Sequence, residues 1–239
     1  DQIRKFLAYT QKKYKLGQKT LSNHWIALSS FFSWAAVEPA IACPHPMHNI
    51  IERPRYQRPT IEIYTKLEIT AMLEACERAA VWNPQNGQTA SAHRPTVLRD
   101  RAIIITLLDC GLRSSELCDL VVKDYDVKKG RLIIRHGKGN KQRLLPLGQA
   151  AQRAIWRYLS TRPGASPIEP LFATRNKTHL QRDALGNLIE CCAKRAGVPR
   201  CGIHRFRHTF AVNYLRNGGN VIALQAMLGH EKMETVTIY

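Results

Sequence analysis

The chain has no long apolar run. Its longest, AIIITLL at 102–108, is far too short to cross a bilayer, so a membrane-spanning protein is not expected. No CxxC pair occurs among the seven cysteines at 43, 76, 110, 118, 191, 192 and 201, which argues against a zinc ribbon or finger. Most of these thiols fall in apolar stretches and read as buried side chains in a reducing compartment. The opening DQIRKFLAYT lacks the apolar core of a secretory signal, and no internal repeat or low-complexity tract is present. Acids are scarce, with 18 Asp and Glu against 36 Lys and Arg, a formal charge of +18. That imbalance suits a polyanionic partner, most commonly nucleic acid. A soluble intracellular protein is the expectation.

What is there divides into three parts. Residues 1–52 read as helical. IRKFLAYTQKKY sets Ile3, Phe6, Leu7 and Tyr14 among lysines, and LSNHWIALSSFFSWAA gives Trp25, Leu28, Phe31, Phe32 and Ala35 one broad apolar face. This piece is short for a free-standing domain and reads as N-terminally incomplete. Two Arg-Pro pairs in IERPRYQRPTIEIY forbid a helix and leave a basic linker over 53–64. From 65 to 239 runs a second domain. It opens on a capping box, Thr65 and Glu68, with a helix to about Ala80. WNPQNGQTASAHRP (82–95) follows as a surface loop, then a buried helix at 97–109 ended by Gly111. RLIIRHGKGNKQRLLPL (131–147) predicts two strands around a Gly-Lys-Gly-Asn turn. Helices near 149–160, 180–196, 204–217 and 220–228 complete a mainly α fold with one small antiparallel sheet.

HRFRHTFAVNYLRNGG (204–219) is an amphipathic helix with two histidines, three arginines and no acid. His204 and His208 have the i, i+4 spacing of a zinc helix. Arg205 and Arg207 would repel a dication, however, and the glutamate of HExxH is missing, so no metal is expected. Arginine offers a planar fork to phosphate oxygens and histidine can move a proton, which favours an anion. CGLRSSELCDL puts Arg113 at a helix start with Glu116 three residues on, able to hold the guanidinium in place. The bland alternative is an exposed ion pair worth well under about 1 kcal/mol. Lys138 lies in the turn HGKGNK, where the flanking glycines would let a cation swing against a ligand; such turns are otherwise merely solvated. LGHEKMETVTIY supplies His230 and, nine residues later, Tyr239.

Taken in order, Arg113-x-x-Glu116, Lys138 in a turn, His204-x-x-Arg207, LGH with His230, and Tyr239 resemble the tyrosine recombinase (phage integrase) family, in its simple Xer-like form. The likeness covers roughly 60–239; the N-terminal region resembles the family's helical core-binding domain only in general pattern. It implies a mixed α/β catalytic domain at 65–239 whose usual C-terminal tail is absent. Arg113 and Arg207 would clamp one scissile phosphate, and Tyr239 would attack phosphorus to leave a 3′-phosphotyrosyl bond. His204 would serve as base, Lys138 would protonate the 5′-oxygen, and His230 would hydrogen-bond the phosphate with Glu116 in support. No metal or other cofactor is implied. The implied partners are duplex DNA carrying a specific recombination site and further copies of the chain, four on two duplexes, in the cytoplasm and on the nucleoid. Further DNA contacts are expected from Arg53, Arg55, Arg58, Lys141 and Arg205. The helix of His24 and Trp25 is a candidate for groove contact, with core packing the alternative for Trp25. A topoisomerase IB-like relaxing enzyme and an inactive DNA-binding protein on the same scaffold are the rival readings.

Overall fold

The computed structural model describes residues 2–41, 43–47, 51–56, 60–77, 94–135 and 142–229. Those residues are mainly helical with one small three-stranded antiparallel sheet. Two compact units emerge, Asp1–Thr60 and Ile61–Tyr239.

In the first unit α1 (Gln2–Tyr14) and α2 (Gln18–Val37) bury little: Leu7 and Thr10 on one helix, Leu21, Ser22 and Ala35 on the other. The broad apolar face expected on α2 is therefore only partly covered. Ala35 is buried, but Phe31 stands 53% exposed beside an exposed Trp34. Two helices offer each other one stripe, too narrow to cover a wide face. Trp25 is half-buried, and its Nε1 donates to the Ile51 carbonyl at 3.0 Å. Arg53 Nε donates to Ser22 Oγ at 2.8 Å, so the start of the expected linker is fastened to α2.

In the second unit the capping box forms as read. Thr65 Oγ1 accepts from the Glu68 amide at 3.2 Å and Glu68 Oε2 accepts from the Thr65 amide at 2.7 Å, starting α3 (Lys66–Ala75). Tyr64, just upstream, is buried against Phe206, and its amide donates to Thr209 Oγ1 at 2.8 Å. The last residues of the expected linker thus belong to this unit. The spine is α4 (Val97–Cys110), with Ala102, Ile103, Ile104 and Leu107 wholly buried. It packs against α6 (Gln149–Leu159) and α8 (Ile203–Arg216), while α7 (Arg182–Ala196) packs on α3. A short α5 (Ser114–Asp119) and a 3-10 turn (Val122–Asp124) lead into the sheet.

Its strands, β1 (Tyr125–Asp126), β2 (Arg131–Ile134) and β3 (Arg143–Pro146), lie in that order. The register pairs Leu132 with Leu145 and Ile134 with Arg143. Leu132, Ile134 and Leu145 turn into the core, as period-two alternation requires. The sequence predicts β2 and β3; β1 is a third strand, and its two residues are too few to carry a periodic signal. Residues 78–93, most of the expected surface loop, lie outside the described residues. None of the seven cysteines is in a disulfide. Four are buried, but Cys191 is exposed beside the buried Cys192, because neighbouring positions on a helix such as α7 point about 100° apart. Among the described residues no helix is long and apolar enough to cross a membrane.

Candidate active site

The site forms at the C-terminal end of α9 (Val221–Leu228). Asn220 starts this helix, its side-chain oxygen accepting from the amides of Ile222 and Ala223. Gly229 ends it in the left-handed region at φ +62°. The carbonyls of a helix's last turn lack intrahelical partners and carry the negative end of its dipole. Here three guanidinium groups from three other segments supply the donors. Arg143 Nε reaches the Met227 carbonyl at 2.9 Å, Arg207 Nη2 the Leu228 carbonyl at 2.6 Å, and Arg113 Nη2 the Gly229 carbonyl at 3.1 Å.

Local structure explains how each arrives. α4 must stop at Gly111, whose φ is +58° and where a Cβ would lie 2.5 Å from Phe210 Cδ1. The turn after it leaves Arg113 as N-cap of α5. The Arg113 amide donates to Glu116 Oε2 and its Nη1 to Glu116 Oε1, both at 2.8 Å. On α8 the apolar stripe of Phe206, Phe210 and Ala211 is buried, and Arg207 goes in with it at 5% exposure. Its Nη1 donates to the Gly111 carbonyl at 2.7 Å. Arg113 and Arg207 are thus joined twice, through the 111–113 turn and through consecutive carbonyls of the helix end.

Glu116 is the buried counter-charge. Burial pushes its carboxyl up, but bonds from the Arg143 side chain, the Arg113 amide and the Arg113 side chain hold it below the usual carboxylate range. His208, next to Arg207, is held below the ordinary histidine value by burial first, then by His204 and Arg207. His204, one turn before Arg207–His208, is exposed.

The structure therefore brings together Arg113, Glu116 and Arg207, with His204 on the same helix as Arg207. Lys138, Lys141, His230, Tyr239 and Arg58 lie outside the described residues. Arg205 stands apart from this group. Its Nη2 donates to both oxygens of Glu68 and to the Ile63 carbonyl, and its guanidinium sits 4.1 Å above the Tyr64 ring. Arg53 and Arg55 are exposed in the first unit.

One residue escaped the sequence reading. Arg143, first in β3, clasps Glu116 with both Nη atoms, at 3.0 and 2.8 Å. Its only signal was a cation next to the Lys138 turn, two residues before Leu145 and so on the inward face of β3, where a charge needs a buried partner.

The family model described as the phage integrase family matches residues 64–239. The chain belongs to the phage integrase family. Tyrosine recombinase XerC of Pelobacter propionicus is 38% identical over 143 residues, covering 59% of this chain and 47% of the relative. XerC of Vibrio vulnificus is 31% identical over 223 residues, 92% of this chain and 65% of the relative. The chain spans about half the length of the first of these. Among solved structures, XerH site-specific recombinase bound to a palindromic difH substrate in a post-cleavage complex superposes with a TM-score of 0.76. It is 22% identical, over 100% of this chain and 67% of that one. That likeness is one of fold, shared with the integrase family to which the chain belongs.

Proposed function

We propose that the chain is a site-specific DNA recombinase that breaks and rejoins strands through a 3′-phosphotyrosyl intermediate. The observation that carries this is the meeting of Arg113 and Arg207 on consecutive carbonyls, Gly229 and Leu228, immediately before His230. Two fixed guanidiniums suit the oxygens of one phosphate, where negative charge grows in the pentavalent transition state. Arg113, with a side chain 26% exposed, offers the accessible edge. Tyr239 attacks phosphorus, and the bond to the 5′-oxygen breaks. A phenol is mostly protonated at neutral pH, so it needs a base; His204 takes its proton. Lys138 delivers a proton to the departing 5′-oxygen, since an alkoxide leaves poorly. His230 donates to the same phosphate. The reverse reaction with another strand's 5′-hydroxyl completes exchange.

The partner is duplex DNA in the compartment that holds it, consistent with the formal charge of +18 and with the relatives' names. Four copies on two duplexes are the assembly that strand exchange of this kind implies. Residues 1–52 act as the core-binding domain, 53–64 as the linker and 65–239 as the catalytic domain. Arg53, Arg55, Arg58 and Lys141 add phosphate contacts that strengthen binding without setting sequence preference.

A nicked duplex that loses its cleaved 5′ end traps the intermediate. The native chain gives a protein–DNA adduct on a denaturing gel; Tyr239→Phe gives none while still shifting duplex in a native gel. Equal adduct from Tyr239→Phe would remove Tyr239 as nucleophile. Hybrid products from two-site DNA separate recombination from simple relaxation.

A further inference from the structure

We infer that Arg143 is a positioning residue that cancels the charge of Glu116, so that Arg113 presents its full positive charge to the scissile phosphate. This rests on the strand-cleavage reading above and deepens it. The geometry sets a problem that Arg143 solves. Arg113 is oriented by a carboxylate, through its amide and its Nη1 at 2.8 Å each. A guanidinium held that way forms a neutral pair, and a phosphate drawn to its outer edge meets an anion directly behind it. Inside a protein that repulsion is weakly screened, and Glu116 is only 2% exposed.

Arg143 occupies the far side of the same carboxylate. Its two Nη atoms take one oxygen each, at 3.0 and 2.8 Å. Its Nε is anchored on the Met227 carbonyl, and its side chain is 12% exposed against 26% for Arg113. The fork is therefore turned inward to Glu116. The triad carries a net charge of +1, and the more exposed arginine is the one that faces a ligand. Close fit guards the arrangement: a Cβ on Gly229 would lie 3.1 Å from Arg143 Nη1. Because Arg143 begins β3 opposite Ile134, the clasp also ties the Glu116–Arg113 pair to the loop end of the β2–β3 ladder.

A charge-cancelling role differs from a phosphate contact or from mere support of the hairpin, because it disappears when Glu116 loses its charge. Single-turnover cleavage of the nicked duplex is measured for the native chain, R143A, R143K, E116Q and the E116Q/R143A double variant, with melting curves and duplex binding alongside. R143A should cleave about a hundredfold more slowly than the native chain, a loss typical of removing charge stabilisation from a transition state. R143K, which keeps the charge without the fork, should recover at least tenfold of that. In the Glu116→Gln background, Arg143→Ala should cost less than about tenfold, since no anion is left to cancel. R143A strands a buried carboxylate; if it fails to fold, the comparison of E116Q with E116Q/R143A, neither of which does so, decides alone. A hundredfold loss between those two overturns the inference and makes Arg143 a phosphate ligand or a hairpin support. No adduct from the native chain would instead overturn the strand-cleavage reading, and this role with it.

Discussion

Glu116 is a carboxylate whose arginine bonds outweigh the upward push of burial. Its folded-state value lies below the ordinary one, so its contribution to stability is complete above the usual carboxylate range and disappears as pH falls through the depressed value. Glu116→Gln removes that dependence. The native chain should therefore exceed E116Q in urea midpoint at pH 7, and the gap should narrow steadily on acidification below about pH 4.5. A gap that stays constant down to pH 3 would mean Glu116 is not the charged anchor described. Gly111 makes a second test at this scale. Its positive φ and the 2.5 Å approach of Phe210 penalise any side chain, and Gly111→Ala should cost about 2–4 kcal/mol in denaturant unfolding. Gly111 and Glu116 are visible in the sequence, because they sit in words with their own local logic: a helix stop, and an acid three residues past a helix start. Arg143 is not. Whether an arginine in a short strand faces water or a buried carboxylate depends on a partner 27 residues away, and no local pattern encodes that pairing.

At the scale of elements, long periodic segments and local caps read correctly, while short pieces held by tertiary contacts do not. The α3 capping box, the Gly111 stop and the helices α6 to α9 all follow from patterns within one or two turns. β1 is two residues long and exists because β2 offers it an edge. Arg205 shows the same limit in side-chain terms. On the sequence it is another cation of a basic helix. In the fold it holds α8 to the start of α3 through Glu68, and it lies over Tyr64. Arg205→Ala should therefore lower stability by about 1–3 kcal/mol. The slope of log binding constant against log salt should stay where it is, whereas loss of a phosphate contact would reduce it by about 1. A flattened slope with an unchanged melting temperature would reverse that assignment and return Arg205 to the DNA surface.

Over the whole molecule the two units differ in how they are held. The large buried cluster runs from Tyr64 to Phe206, entirely within the second unit. The first has Leu7, Leu21, Ala35 and Met47 as its buried apolar residues among those described. Sixty residues with so thin a core fold marginally at best, whereas the remainder is large enough to stand alone. Charge is shared more evenly: residues 1–60 hold nine Lys and Arg against three acids, and residues 61–239 hold 27 against 15. If the first unit serves mainly to grip phosphates, its removal should separate binding from folding. A chain beginning at Ile61 should melt cooperatively, within about 5 °C of the full chain, since it loses almost none of the core. It should bind duplex more weakly, with a salt slope smaller by about 3 or more, each neutralised phosphate contributing roughly 0.9. Adduct formation should persist at saturating DNA, because Arg113, Arg143, Arg207 and Tyr239 all remain. A shortened chain that binds with an undiminished slope would show that the cations of residues 1–60 do not touch the duplex, and would confine the DNA interface to the unit carrying the arginine cluster.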